Sequence, residues 1–391
     1  MYRELFVLGS PKKSVRENKL IKTFVILVLL SIFLSHFVRY YFGFYIYLAV
    51  PVSVSVFICV PALIGFRKEA PGIYISGFCL VSLFVYSVLS LSGPRAMFYS
   101  SISLLSFCFA HWAVKQSKNN VLIAARVGIF VYYAFFIVSG LNYGFTPMDV
   151  NNYLSEGSRN IVSAVGLMSQ LIYSSAYFNK YRVLPLITPI VTLIFSVLAF
   201  GRSGISLSFV VLMFSCFYNY SLLRTDRKMF WFVIFFINAA VFVFIFDTVS
   251  LVFNTGFDKG VESPRFAMIS EYLFNVDLEA FLVGVDLSTV KSIASYGENP
   301  HNSFIRGHSG FGAIYLAFLA VGFVLIVHRL IVYKNTGVYF FLILVFLVRV
   351  ALDSLAFLDV IDVVFYFLVF LMYQSSGGKR KSFIVRVEKS A

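Results

Sequence analysis

The chain has 391 residues, of which 60% are hydrophobic and 13% charged, and its mean hydropathy is +0.87. Apolar runs of about 18 residues or more recur from end to end, each long enough to cross ~30 Å of hydrocarbon as a helix, and their continuity excludes the alternating pattern of a β-barrel. The net charge of +14 does not mark a nucleic-acid binder, because the basic residues punctuate the ends of the apolar runs and act as an orientation signal.

The expected fold is all-α: one polytopic transmembrane domain over 1–391 with about twelve helices. The spans fall at 20–38, 42–65, 72–92, 96–114, 121–141, 160–178, 183–200, 203–220, 229–251, 309–332, 337–356 and 359–374. The first follows a basic segment and has no small-residue cleavage site, so it reads as a retained span. Most of the 32 Lys and Arg lie on one set of connections and most acidic residues on the other. The positive-inside rule makes the basic set cytoplasmic, and an even span number puts both termini there.

One large outward loop is expected between spans nine and ten, at 252–308, in the long polar stretch from Asn254 to Gly310. Within it, Phe266, Ile269, Leu273 and Phe281 recur at roughly helical spacing after Ser263–Pro264, which predicts an amphipathic helix able to lie at the membrane surface. The four cysteines, Cys59, Cys79, Cys108 and Cys216, lie in apolar runs and suggest no disulfide framework. His36, His111 and His328 fall at span ends and read as interfacial.

The candidate chemistry collects on the outward side. Arg202 stands in the tight GRSG turn between spans seven and eight. It fits either a snorkelling interfacial arginine or a bidentate phosphate ligand, with the flanking glycines turning the backbone and leaving room for a ligand. Arg265 is either a solvated surface charge or the second arginine of a pyrophosphate pair. His301, stiffened by Pro300, is either an idle loop histidine or a general base for a hydroxyl, with Asn302 or Glu298 to orient it. His308 is a second candidate, but its spacing from His301 matches no standard zinc pattern, so no metal is expected. Arg306 adds a further cation. Arg349 and Asp353 form an i, i+4 pair inside span eleven, which either stabilises the bundle or lines a polar cavity. No P-loop, dinucleotide fingerprint or nucleophile elbow is present in the sequence.

The twelve-span layout and the motifs GRSGIS at 201–206, PRFAMISEY at 264–272 and HNSFIRGHSGFGAIYL at 301–316 resemble the O-antigen polymerase (Wzy-type) and O-antigen ligase superfamily. The stretch FLVGVD departs from the family's glycine-x-glycine, with Val285 and Asp286 after Gly284. The resemblance implies an inverting membrane glycosyltransferase in a bacterial cytoplasmic (inner) membrane, acting on glycans linked to undecaprenyl pyrophosphate. A polymerase extends a surface polysaccharide with a second lipid-linked repeat unit; a ligase transfers the glycan to lipid A core. It further implies that Arg202 and Arg265 hold the pyrophosphate and that His301 activates the acceptor. No cofactor is implied, and the partners are the lipid-linked glycans, membrane lipids and a chain-length regulator protein. From another class, a lipid-linked oligosaccharide flippase also suits twelve spans, but such transporters place ionisable groups at a midplane cavity between repeats.

Overall fold

The computed structural model describes residues 19–42, 77, 79–83, 85–86, 93–155, 158–223, 264–333, 336–357 and 359–375. The second and ninth predicted spans, most of the third, the first part of the polar loop and both termini lie outside these. Among the described residues the regular structure is helical and no strand occurs. The helices are α1 (Lys19–Phe33), α2 (Ser35–Phe42), α3 (Gly93–Lys115), α4 (Lys118–Tyr143), α5 (Pro147–Val150), α6 (Arg159–Tyr181), α7 (Ile187–Leu198) and α8 (Arg202–Leu223). After them come α9 (Pro264–Phe274), α10 (Leu278–Val283), α11 (Lys291–Ala294), α12 (Ser303–Val332), α13 (Gly337–Ala351) and α14 (Asp362–Ser375).

Four described helices, α4, α6, α8 and α12, are long and apolar enough to cross a membrane, and α1 with α2 makes a fifth if the bent pair is one span. The chain is thus a multi-pass helical membrane protein. The α1–α2 bend is 52°. Ser31 and Ser35 each donate a hydroxyl to the carbonyl three residues back, at 2.9 and 2.7 Å, and this local bonding competes with the helical ladder at the break. Helix α7 is shorter than its predicted span. Its approach is held instead by Asn219 of α8, whose side chain bonds both the amide and the carbonyl of Leu184, at 2.9 and 2.7 Å.

Helix α6 is the centre of the bundle. It packs against α2, α4, α7, α8, α13 and α14, and 89% of its apolar window is buried. Among its buried residues, beside large apolar ones such as Leu167, Met168, Leu171 and Phe178, are many small or polar ones: Ser163, Ala164, Gly166, Ser169, Ser174, Ser175 and Ala176. In lipid the hydrophobic effect does not drive helices together, so close approach and interhelical hydrogen bonds do that work. At Gly166 a Cβ would stand 2.7 Å from the Tyr132 hydroxyl, which donates to the Val162 carbonyl at 3.0 Å. Tyr133 reaches the Thr188 carbonyl at 2.8 Å, and Thr192 donates to Gln170 at 3.2 Å. His36 and His111 are buried in this bundle, not interfacial as expected; the His36 ring meets the Ser169 hydroxyl at 3.3 Å.

The described part of the polar loop folds into α9, α10 and α11 around its own small core of Met268, Tyr272, Val285, Val290, Ile293 and Ile305. Glu271 accepts the amides of Lys291 and Ser292 at the start of α11, at 2.9 and 3.0 Å, and hydrogen bonding from Ser292 holds its carboxyl below the usual range. The loop is pinned to α12 by backbone contact. Gly284 (φ +103) closes α10 so tightly that a Cβ would lie 2.3 Å from the Ser309 carbonyl oxygen. Gly312 (φ 54, ψ −143) kinks α12, and a Cβ there would lie 2.0 Å from the Leu282 carbonyl oxygen. That backbone region is open only to glycine. Gly312→Ala should therefore lose about 1–3 kcal/mol of stability in a thermal melt of the purified protein. Gly322→Ala, where a Cβ meets nothing within 4 Å, should leave the melt unchanged. Equal melts for the two variants would mean that the α10–α12 crossing does not depend on glycine at 312.

Candidate active site

One end of the bundle gathers the C-terminal ends of α2 and α13 and the N-terminal ends of α6, α8, α9, α12 and α14. Most ionisable residues singled out in the sequence meet there. The turn before α12 is tight: Gly297, Glu298 and His301 have φ of 66°, 60° and 46°. Asn299 accepts the His301 amide at 3.0 Å, which fixes the turn. A left-handed conformation at a bulky residue such as histidine is uncommon and persists where surrounding contacts impose it.

Those contacts come from the 352–361 connection. Ser303, fully buried, donates its hydroxyl to the Asp353 carbonyl at 2.8 Å and accepts the amides of Leu355 and Ala356, each at 3.0 Å. The Asn302 amide donates to the Ser354 hydroxyl at 3.0 Å. The start of α12 is thereby laced to the segment that carries Asp353.

The lacing sets His301 beside Asp353, with Nδ1 3.5 Å from Oδ1. This is long for a hydrogen bond, so the two groups approach without a formed bond. The other carboxylate oxygen lies 3.5 Å from Nη2 of Arg349, and the same Nη2 donates to the Asn160 carbonyl of α6 at 2.9 Å. A line of groups therefore runs inward from His301 (side chain 29% exposed) through Asp353 (9%) to Arg349 (0%). Nε and Nη1 of Arg349 have no hydrogen-bond partner among the described residues. Arg265 joins the group by donating Nη1 to the Leu352 carbonyl, and its charge acts on both Arg349 and Asp353.

Beside this line sits a second ionic group. Asp359 is bonded by Arg39 of α2 and lies 3.4 Å from Nη2 of Arg306. Arg306 also donates to the Ser354 carbonyl at 3.1 Å and rests over the Tyr99 ring at 5.8 Å. Asp362 accepts the Ser103 hydroxyl at 2.6 Å and the Phe357 amide at 2.6 Å. These bonds brace the connection from α2, α3 and α12.

The remaining expected residues have different tasks. Asn302 does not orient His301: its side chain caps α12 by accepting the amides of Phe304 and Ile305 at 2.9 and 3.1 Å. His308 has both ring nitrogens occupied. Nε2 faces the Phe281 carbonyl at 3.1 Å, so it carries the proton, and Nδ1 accepts the Tyr272 hydroxyl at 2.6 Å. It fastens α9 and α10 to α12, and burial pushes the Tyr272 hydroxyl up from its ordinary pKa. Among the described residues no group of three or more His, Cys, Asp or Glu is placed to hold a metal.

Arg202 is the exposed first residue of α8, at the same end of the bundle. Its glycines differ from expectation. The left-handed residue of the turn is Phe200 (φ 51). Gly201 and Gly204 are needed for packing, since a Cβ on either would stand within 2.7 Å of the Ser163 side chain. The room they leave is filled by α6 and not by a ligand. Gly201 thus abuts the α6 turn whose Asn160 carbonyl holds Arg349.

The pairing of Asp353 with His301 and that of Arg39 with Asp359 are not visible in the sequence. The i, i+4 spacing marked Asp353 only as the partner of Arg349; Arg39 and Asp359 are 320 positions apart and share no local pattern. Comparison with known proteins finds no matching family model, no matching curated protein and no matching solved structure.

Proposed function

We propose that this chain is a membrane glycosyltransferase that polymerises oligosaccharide repeat units linked to undecaprenyl pyrophosphate. The observation that carries this reading is the inward line His301–Asp353–Arg349 with Arg265 beside it. An imidazole with one nitrogen facing a carboxylate, and that carboxylate backed by a buried guanidinium, is the arrangement of an oriented general base. Nδ1–H faces Asp353 and leaves Nε2 to take the proton from an acceptor hydroxyl. The acceptor oxygen then bonds to the anomeric carbon as the bond from that carbon to the pyrophosphate oxygen breaks, with inversion. The departing lipid pyrophosphate gains negative charge, which guanidinium groups stabilise, and Arg265 and Arg202 are the groups assigned that role in this reading. The donor is already activated, so the step needs no nucleotide.

Among the described residues, the gathering of ionisable groups at one end favours transfer chemistry over transport. With this function go twelve spans, both termini in the cytoplasm and an outward-facing site in a bacterial inner membrane. The distribution of basic residues in the sequence supports that orientation. The test is expression of Arg202→Ala and Arg265→Ala in a host that supplies lipid-linked repeat units but lacks its own polymerase. Both variants should fall at least tenfold in long-chain polymer at equal membrane abundance. Undiminished polymer from both would reject the pyrophosphate assignment.

A further inference from the structure

The loop hairpin formed by α9 and α10 has two unlike sides. One closes on its own core. The other presents Phe266, Leu273, Phe274, Leu278, Leu282 and Val283, exposed by 58, 63, 91, 76, 56 and 54%. These residues run continuously across the α9–α10 turn. A patch of this kind is uncommon on a surface that faces water.

Its height relative to the bilayer follows from the crossing with α12. The Leu282 carbonyl lies against Gly312, and the sequence from Gly310 to Val327 contains no Asp, Glu, Lys or Arg. Residues 278–283 therefore stand beside the level at which α12 becomes purely apolar. Further along the same apolar run of α12, Phe323 and Val324 are exposed as well.

We propose that the α9–α10 hairpin is immersed in the bilayer interface, with Leu273, Phe274, Leu278 and Leu282 among the acyl chains of the leaflet that the site faces. The partner is the lipid surface itself, and the attraction is apolar and not ionic. From Pro264 to Lys291 the charged residues are Arg265 and Lys291 against Glu271, Asp277, Glu279 and Asp286, which gives this stretch no cationic face for acidic headgroups. Immersion also fixes Arg265, at the start of α9, close to headgroup level. The inference rests on the membrane spans and stands apart from the transfer chemistry.

The test uses the full chain in lipid nanodiscs, with its two tryptophans, Trp112 and Trp231, replaced by Phe. Single tryptophans are then placed as Phe274→Trp, Leu278→Trp and, in the exposed polar run after α11, Ser295→Trp. Brominated phosphatidylcholine should quench the probes at 274 and 278 at least twofold more than the probe at 295. Adding anionic phosphatidylglycerol or raising salt should leave that quenching unchanged. Quenching at 274 and 278 by aqueous iodide to the same degree as at 295 would overturn the proposal. So would blue-shifted emission without bromolipid quenching: lost on dilution of the protein, it identifies a second copy as the cover, and unaffected by dilution, another segment of this chain. Quenching that appears only with anionic lipid would overturn its apolar basis.

Discussion

Arg349→Met is expected to destabilise the protein by about 3–5 kcal/mol, the cost of leaving a buried carboxylate without its counter-charge. Asp353 is almost fully covered, and Arg349 is the guanidinium behind it, tied at the same time to the Asn160 carbonyl of α6. The single change removes both the charge and the link between α13 and α6. The double variant Arg349→Met with Asp353→Leu removes the orphaned charge as well and should recover most of the lost stability, because an apolar pair of similar volume replaces a buried ion pair at little cost. It should not recover activity, since His301 then faces no carboxylate. Thermal melts of the two variants beside a transfer assay read the two effects separately. A single variant as stable as the parent would mean that Asp353 carries no charge in the folded protein.

His301→Ala should lower transfer by about 10²–10⁴-fold, the usual contribution of a positioned acid–base group, with little change in the melt. The side chain is partly exposed, and among the described residues its one close polar contact is the 3.5 Å approach to Asp353, so removing it leaves the packing intact. Asp353→Asn should also be slow, but through orientation: an amide can hold the imidazole in the wrong tautomer. The ratio of the two losses distinguishes a base from a structural histidine. His308→Ala should behave in the opposite way. It leaves the Tyr272 hydroxyl and the Phe281 carbonyl without their partner and should loosen the hairpin before it affects chemistry.

Much of the helical skeleton was legible from the apolar runs, because a bilayer forces every backbone amide into a helix of predictable length. Helices α3, α4, α6, α8 and α12–α14 fall where those runs lie. What the runs do not encode is where a helix breaks. The bend after Phe33 comes from serine hydroxyls inside an apolar stretch, and the kink at Gly312 comes from a crossing that depends on α10. Residue type pointed to ionisable groups that gather, but not to what each is bonded to. His301, Arg265, Arg349 and Asp353 stood out as ionisable groups near or within apolar sequence, and they meet. Their order, with Asp353 between His301 and Arg349, depends on Ser303 lacing two segments 50 residues apart. Asn302 and His308 carry side chains suited to catalysis but are occupied by a helix cap and by the hairpin. The glycines beside Arg202 suggested space for a ligand, and the space holds Ser163.

In the proposed reaction His301 is the base in glycosyl transfer from a lipid pyrophosphate. The most direct measurement places purified protein in a bilayer with lipid-pyrophosphate-linked repeat units as donor and acceptor, and follows chain length by gel. The parent chain should yield products of two or more repeat units with release of lipid pyrophosphate, and His301→Ala, equally folded, should yield them at least 100-fold more slowly. Equal product from both proteins would rule out His301 as the base, and none from the parent chain when lipid-linked repeat units are supplied would rule out the polymerase reaction.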